Sequence, residues 1–348
     1  VLILSSDEVK RALSMPAALE AVEKAYLDLG NDLAVNRPRT DSWAPAGNGN
    51  YYLLKSMDGV APGLKTGAVR VNSNLVTWRK YAGGLVKAGA GKRYVGLILI
   101  FDLADGEPLA LFPDEHSQAV RVGATTALAV KYLTGDKIGR AAVIGSGRQA
   151  NSVIEALCCL GSPREIVVYS PNQDHRQALA ARFAAQGRNV LPADSADAAV
   201  EGAGLVLLNT SSITPVCRPE WVAPGRLITC VKYAEVGHGV LARSGYVAVN
   251  AHQGAPVNYL PGGKCFAGHD PLADLGVVPG ESGSGIGDPD WTAYPELARL
   301  VAGRAPRPAG DQPVLFINNI GLGVQFAAVG AVVYARAREM GLGIEAPV

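Results

Sequence analysis

Gly145, Gly147 and Ala150 stand at the spacing that turns a strand into a helix around a pyrophosphate, within the run Arg140 to Ala150, RAAVIGSGRQA. Gly145 permits the tight turn after a strand Ala141–Ile144, Gly147 lets the backbone approach phosphate, and Ala150 permits close helix–strand packing. A helix over Gln149–Leu160 points its free amides at the same place. Gly145, Ser146, Gly147, Arg148 and Gln149 are therefore the candidate dinucleotide contacts. A second strand, Glu165–Tyr169, completes the unit. An acidic residue at its end would bind the adenosine ribose and repel a 2′-phosphate. The chain instead continues Ser170-Pro171-Asn172, with Arg176 beyond, so Ser170, Asn172 and Arg176 are assigned to a 2′-phosphate and NADP(H) is favoured over NAD(H). The plainer alternative is a turn followed by a solvated helical arginine.

A chain of 348 residues implies two domains, and 48% hydrophobic against 18% charged residues is enough for substantial cores. The formal charge of +1 offers no field for nucleic acid. Five cysteines, Cys158, Cys159, Cys217, Cys230 and Cys265, lack paired spacing and a histidine framework, so neither a metal site nor a disulfide scaffold is expected. They read as small buried residues in a reduced, cytoplasmic compartment. The opening Val1-Leu-Ile-Leu-Ser5 is too short for a signal peptide. Ile320–Ala335 has no charge but falls short of a membrane span and holds Gln325, so a buried helix is expected and no membrane partner. Asn318 and Asn319 would cap it or line a cleft.

Helical spacing of apolar residues covers Ser5–Leu29, with Ser6 and Ser14 as caps. Strands are predicted over 37–40, 51–55, 63–71 and 94–101, with Trp78–Arg93 an exposed loop or short hairpin. A helix over Ser117–Leu133 leads into alternating elements: a helix Gln173–Gln186, a strand near Asn189, a helix Ala196–Val200, then strands Leu205–Asn209, Leu227–Val231 and Tyr246–Val249. Polar, Pro/Gly-rich segments at Pro279–Asp290 and Gly303–Pro313 lead out again, and Val314–Arg338 is expected to rejoin the N-terminal region. The fold class is therefore α/β: a Rossmann-type doubly wound nucleotide domain, 119–310, inserted in a discontinuous α+β substrate and dimerisation domain, 1–118 plus 311–348.

The order of these segments resembles the ornithine cyclodeaminase and mu-crystallin family over essentially the whole chain. The matching text is Leu4–Val9, Arg39-Thr40, Gly63-Leu-Lys65, Asp105–Ala110, Ala119–Ala124, Gly145–Ala150 and Thr210–Pro215. The resemblance implies that Arg39, Lys65 and Arg121 grip an amino or imino acid, with Met57 beside it. Guanidinium forks suit an α-carboxylate, and a lysine near the nitrogen offsets developing charge. Ser211 and Ser212, after the strand Leu205–Thr210, are expected beside the nicotinamide ribose at the carboxyl edge of the sheet, with Thr210 a further cofactor contact. The family pairing implies a homodimer.

The departures point away from ornithine. Family cyclodeaminases carry an Asp after the strand matching Leu227–Val231, where it serves ammonia loss. Here Ala234 stands closest, with Glu235 one residue away, either aimed inward or on the surface; Lys232 and Tyr233 supply an acid or a pocket wall. A second family Asp corresponds to Phe326. Imine reduction needs no carboxylate base, so the expectation is an NAD(P)H-dependent oxidoreductase acting on the C–N bond of a small amino or imino acid, a cyclic imine or ketimine reductase. The alternatives are an ornithine cyclodeaminase, an alanine-dehydrogenase-like enzyme, and a non-catalytic NADP-dependent binding protein. Lys65, Lys232, His116 and water are the proton-donor candidates, with Glu235 the candidate base.

Overall fold

The computed structural model describes residues 1–347 except 38, 82–83, 92–94, 135–137, 162, 213, 253–256 and 259–288. Cys265 and most of the segment Pro279–Asp290 lie outside the described residues. Two sheets organise the rest. The first is built from β1 (Leu2–Ile3), β2 (Val35–Asn36), β3 (Thr40–Pro45), β4 (Tyr51–Ala61), β5 (Thr66–Tyr81), β6 (Gly84–Gly89), β7 (Val95–Asp102) and β8 (Pro108–Pro113). The second opens with β9 (Arg140–Ile144), β10 (Glu165–Tyr169), β11 (Val190–Pro192), β12 (Leu205–Leu208), β13 (Leu227–Cys230) and β14 (Tyr246–Val249). The chain touches the first sheet at β15 (Val257–Asn258), returns to the second at β16 (Val314–Ile317) and ends on the first at β17 (Ile344–Glu345). The helices are α1 (Ser6–Ala12), α2 (Met15–Gly30), α3 (Glu115–Thr134), α4 (Arg148–Cys159), α5 (Gln173–Ala184), α6 (Ala196–Val200), α7 (Gly237–Arg243), α8 (Leu297–Val301) and α9 (Gly323–Glu339).

The second sheet is parallel throughout, in the order β11-β10-β9-β12-β13-β16-β14. Apart from the edge strand β11, its short apolar strands are buried on both faces: Ala141 and Val143 join one core, Ala142 and Ile144 the other. That is the doubly wound arrangement read from the alternation of elements. The order reverses between β9 and β12, which opens a crevice at their carboxyl ends. The strand Val314–Ile317, expected in the first domain, instead hydrogen-bonds between β13 and β14. The apolar run VLFI is fully buried there, and the chain crosses to the first sheet only afterwards, through 318–322 into α9.

The first sheet is mostly antiparallel, in the order β15-β3-β4-β5-β7-β8-β1-β17, with β2 on β4 and β6 on β5. The segment following Trp78 is the hairpin β5–β6. Helices α2 and α9 pack together, α9 lying on β4 and β5. The expected N-terminal helix is two helices. Ser5, not Ser6, caps α1 in a capping box with Glu8, and Pro16 opens α2 after Ser14. The uncharged stretch near the C-terminus forms the buried helix α9, and no helix among the described residues is long and apolar enough to cross a membrane.

The crossing 318–322 is pinned. The Asn319 side chain donates to Ala251 O at 2.7 Å and accepts from Ala251 N at 3.3 Å, while Asn250 Nδ2 donates to Ile320 O at 2.5 Å. Asn319 therefore ties two chain segments together and does not cap α9, which begins at Gly323.

Candidate active site

A cavity of about 480 Å³ follows the carboxyl ends of β9, β10 and β12. Gly145, Ser146, Gly147, Ser170, Asn172, Thr210, Ser211 and Ser212 line it, so most of the dinucleotide candidates converge. Gly145 has φ 117°, and a Cβ there would stand 2.4 Å from Asn209 O; only glycine satisfies both constraints. Gly147 faces open space. Asn209 is buried on the cavity wall with neither side-chain polar atom hydrogen-bonded. An orphaned amide beside a glycine turn and a helix N-terminus fits a polar, anionic dinucleotide. No acidic residue lies among the described lining residues.

Arg176 is not in this lining. It is buried, donates to Ser170 O at 3.1 Å and Asp194 Oδ1 at 3.2 Å, and lies over the Tyr169 ring. The arginine secures the loop after β10 from behind. Asn172 uses its side chain to cap α5, accepting from His175 N at 2.9 Å, and Ser170 Oγ accepts from Ser146 Oγ at 2.8 Å. His175, which the sequence reading passed over, does line the cavity.

Glu235 points inward but belongs to the scaffold. One oxygen accepts from Thr210 N and Thr210 Oγ1, both at 2.7 Å; the other accepts from Val231 N at 3.0 Å and Lys232 N at 3.2 Å. The carboxylate thus joins the loops after β12 and β13. Burial pushes its pKa up, while the Lys232 charge and the Thr210 and Val231 hydrogen bonds pull it back. With four donors on two oxygens it has no lone pair left over for a water or substrate. Lys232 Nζ donates to Ser212 O at 2.7 Å, and burial lowers its pKa. It fixes the Ser212 loop at the cavity edge.

A second cavity, of about 250 Å³, is lined by Arg39, Lys55, Met57, Arg70, Asn72, Gln118, Arg121, Arg148, Gln149 and Gly321. Arg39, Met57 and Arg121 therefore come together as the resemblance implied. Strand register builds the floor: Lys55 pairs with Asn72 and Met57 with Arg70 across β4 and β5, so alternate residues face one side. Asp41 is opposite Lys55 on β3. Arg39 grips Asp41 with two bonds, at 2.7 and 2.9 Å, and Lys55 Nζ stands 3.7 Å from the same carboxylate. Arg70 Nε donates to Asp114 Oδ2 at 2.6 Å. Gly96 makes this pair possible, since a Cβ there would meet Asp114 at 2.2 Å.

Lys65 does not reach either cavity. It ends the turn Pro62–Leu64 in a left-handed conformation, φ 55°, and is exposed. The cations beside Met57 are Arg70 and Lys55, neither of which the sequence reading selected. Period-two alternation through Lys55, Met57, Arg70 and Asn72 carried the signal. His116 Nε2 meets Leu13 O at 3.1 Å in the first turn of α3, a structural role. Arg148 and Gln149, expected on the dinucleotide, line the cationic cavity instead, with Gln149 donating to Gln118 at 3.0 Å.

Above the floor, Phe326 is fully buried with the guanidinium carbons of Arg121 and Arg70 at 5.2 and 5.5 Å from its ring centroid. Arg121 Nη1 also donates to Gln325 Oε1 at 2.8 Å, and Gln325 Nε2 donates to Tyr26 OH and Thr125 Oγ1, both at 2.7 Å. Tyr26 in turn donates to Asn250 Oδ1 at 2.6 Å. This buried polar chain orients Arg121 from α2, α9 and the second sheet together.

Residues 2–341 match the model of the ornithine cyclodeaminase/mu-crystallin family. The chain is 24% identical to a Delta(1)-pyrroline-2-carboxylate reductase of Bacillus cereus, over 99% of this chain and 98% of that protein. It is 28% identical to an NAD(P)H-dependent anabolic L-arginine dehydrogenase of Pseudomonas aeruginosa, over 98% of each. Its fold is that of Thermococcus litoralis Delta(1)-pyrroline-2-carboxylate reductase, solved with NADH and L-proline: TM-score 0.77, 23% identity, covering 99% of this chain and 100% of that one.

Proposed function

We propose a function from one premise: the chain belongs to the ornithine cyclodeaminase/mu-crystallin family. It is an NAD(P)H-dependent reductase of the C=N bond of a small imino acid. The observation that carries this reading is the start of α4, where the N-cap Gly147 lines the dinucleotide cavity and the first helical residue, Arg148, lines the cationic one. A dinucleotide in the first cavity and an acid in the second would lie edge to edge. The names of the B. cereus and P. aeruginosa relatives agree with C–N oxidoreduction.

The nicotinamide, when bound, supplies a hydride for the imine carbon. Gly145, Ser146, Gly147 and Asn209 hold its dinucleotide, with Thr210–Ser212 at the ribose. Arg39 and Arg121 fix the carboxylate of the imino acid, Arg121 with its orientation set by Gln325. A guanidinium stays protonated at all working pH. Among the described residues lining the cationic cavity, Lys55 alone carries a proton it can release, so Lys55 replaces Lys65 as the donor to nitrogen. With Glu235 saturated by three loop amides and the Thr210 hydroxyl, it is not available to activate water for ammonia loss, and no other carboxylate lies among the described residues lining the two cavities, which argues against cyclodeamination.

NADP(H) remains the favoured cofactor, now on the absence of an acidic group among the described cavity residues and on His175 beside Ser170 and Asn172, not on Arg176. A homodimer is proposed through the outer face of the first sheet, where Tyr52, Leu54, Val69, Val71 and Leu97 are exposed; sedimentation tests it. The activity test is loss of nicotinamide absorbance with NADPH and NADH over cyclic imines and over keto acids with an amine. Tight NADPH binding with no turnover of any of them would leave a binding protein and sink the reductase.

A further inference from the structure

Among the described residues lining the dinucleotide cavity, the ionisable side chains are Tyr169 and His175, and of the two only the histidine can carry a positive charge. His175 is exposed in the first turn of α5, where its backbone N–H donates to the capping Asn172 side chain at 2.9 Å. It shares the cavity wall with Ser170 and Asn172, in the segment after β10 where a doubly wound fold meets the adenosine ribose.

The other candidates for a 2′-phosphate are committed elsewhere. Ser170 Oγ donates to Asn172 O at 3.0 Å, the Asn172 Oδ1 is taken up by the helix cap, and Arg176 is buried against Ser170 O and Asp194. The charges on the elements that meet here have partners of their own. Arg182 on α5 donates to Asn151 of α4 at 2.8 Å, Arg148 at the head of α4 pairs with Glu115, Glu165 on β10 pairs with Arg140, and Asp197 on α6 pairs with Arg218. Asp174, the neighbour of His175, is exposed, and none of these groups is in the lining. A 2′-phosphate, which brings about two negative charges near neutral pH, therefore meets one cation among the described lining residues, and that cation is conditional.

We infer that His175 selects between the two dinucleotides and makes the choice depend on pH: its imidazolium holds the 2′-phosphate of NADP(H), and the neutral ring gives up that preference. This rests on the NADP(H) reading above and sharpens it. Histidine is the side chain whose charge ordinarily changes between about pH 5 and 8. A phosphate dianion favours the imidazolium, so the NADP(H) complex holds a proton that the free protein releases. The preference is therefore present at low pH and lost as pH rises, down to the phosphate's own second ionisation near pH ~6. A ribose hydroxyl in the same place makes no such demand, so NAD(H) affinity stays level.

The test is calorimetric titration of the intact protein with NADP⁺ and with NAD⁺ between about pH 6.5 and about pH 8.5. The ratio of the two affinities should move toward NADP⁺ by about fivefold on going to the lower pH. NADP⁺ alone should take up a fraction of a proton near neutral pH, read from the dependence of the heat on the buffer's ionisation enthalpy. In His175→Gln both the shift and the uptake should be absent, while in His175→Arg the NADP⁺ preference should persist at the higher pH. A ratio flat with pH in the parent, binding of NAD⁺ alone at every pH, or an equal slope in His175→Gln overturns the assignment and leaves the dinucleotide site standing. Failure to bind either dinucleotide removes the cofactor reading, and this inference with it.

Discussion

Arg121 holds its guanidinium carbon 5.2 Å from the centroid of the Phe326 ring, and Arg70 approaches the same ring at 5.5 Å. One aromatic residue thus keeps two like charges at the site without neutralising either. Such contacts contribute about 0.5–2 kcal/mol each. Phe326→Leu is expected to raise KM for the imino acid severalfold with little change in kcat, by steady-state kinetics. Phe326→Asp, which puts an anion between the arginines, should raise it further.

Lys55 and Lys65 separate cleanly by mutation. Lys55→Met should lower kcat/KM by about 10²-fold or more if it delivers the proton. Lys65→Met should stay within about twofold of the parent, because an exposed turn residue makes no contact with either cavity. A reversed ranking in the same assay would return the role to Lys65.

Gln325→Leu should do two kinds of damage. It takes partners from Arg121, Tyr26 and Thr125 in a buried setting. The stability loss in urea unfolding is expected at about 2–4 kcal/mol. KM for the imino acid should rise while KM for the dinucleotide holds.

Glu235→Gln discriminates scaffold from base. A glutamine cannot accept from all four donors, since its NH₂ meets two of them head-on. A lowered melting temperature and weaker dinucleotide binding are expected, with kcat retained to within about tenfold at saturation. A stable variant with kcat abolished would instead mark Glu235 as catalytic.

Alkaline pH should weaken the fold. Burial raises the Tyr26 hydroxyl to about 12 and the Cys217 thiol to about 12, and puts Cys230 well above the ordinary thiol range. From about pH 8.5 upward the unfolded chain releases thiol and then phenol protons that the folded chain retains, so it binds fewer protons and unfolding is favoured as pH rises. Urea midpoints should fall steadily from about pH 8.5 upward. Cys217 and Cys230 should resist thiol reagents until the protein unfolds.

The parts of the site that depend on local sequence were legible. Gly145, Gly147 and Ala150 announce a strand, a turn and a helix, and neighbours in sequence are neighbours in space. Arg39, Met57 and Arg121 were reached through resemblance. Lys65 stands outside both cavity linings because it ends a turn, of which the text Gly63-Leu-Lys65 gives no hint, whereas the places of Lys55 and Arg70 depend on which residues of β4 and β5 lie opposite each other. Register is set by the whole sheet. Arg176 fails differently: its long side chain folds back on Ser170 and Asp194, a choice of rotamer that no spacing encodes. Gln325 reads as an interruption in an apolar helix, yet its amide is the joint between four buried partners, Arg121, Leu322 N, Tyr26 and Thr125. Val314–Ile317 was assigned to the wrong sheet because an apolar run of four residues specifies burial but not its neighbours.

The pinned crossing at 318–322 bears on how the enzyme meets its ligands. Any hinge there must first break the paired bonds of Asn319 with Ala251 and the bond from Asn250 to Ile320. The same Asn250 accepts from Tyr26, at the far end of the chain that orients Arg121. Opening at this point and re-aiming Arg121 are therefore coupled through one hydrogen-bonded chain. Such wiring favours a lock whose tumblers are already set: Arg121 is aimed by bonds within the chain, before any ligand arrives.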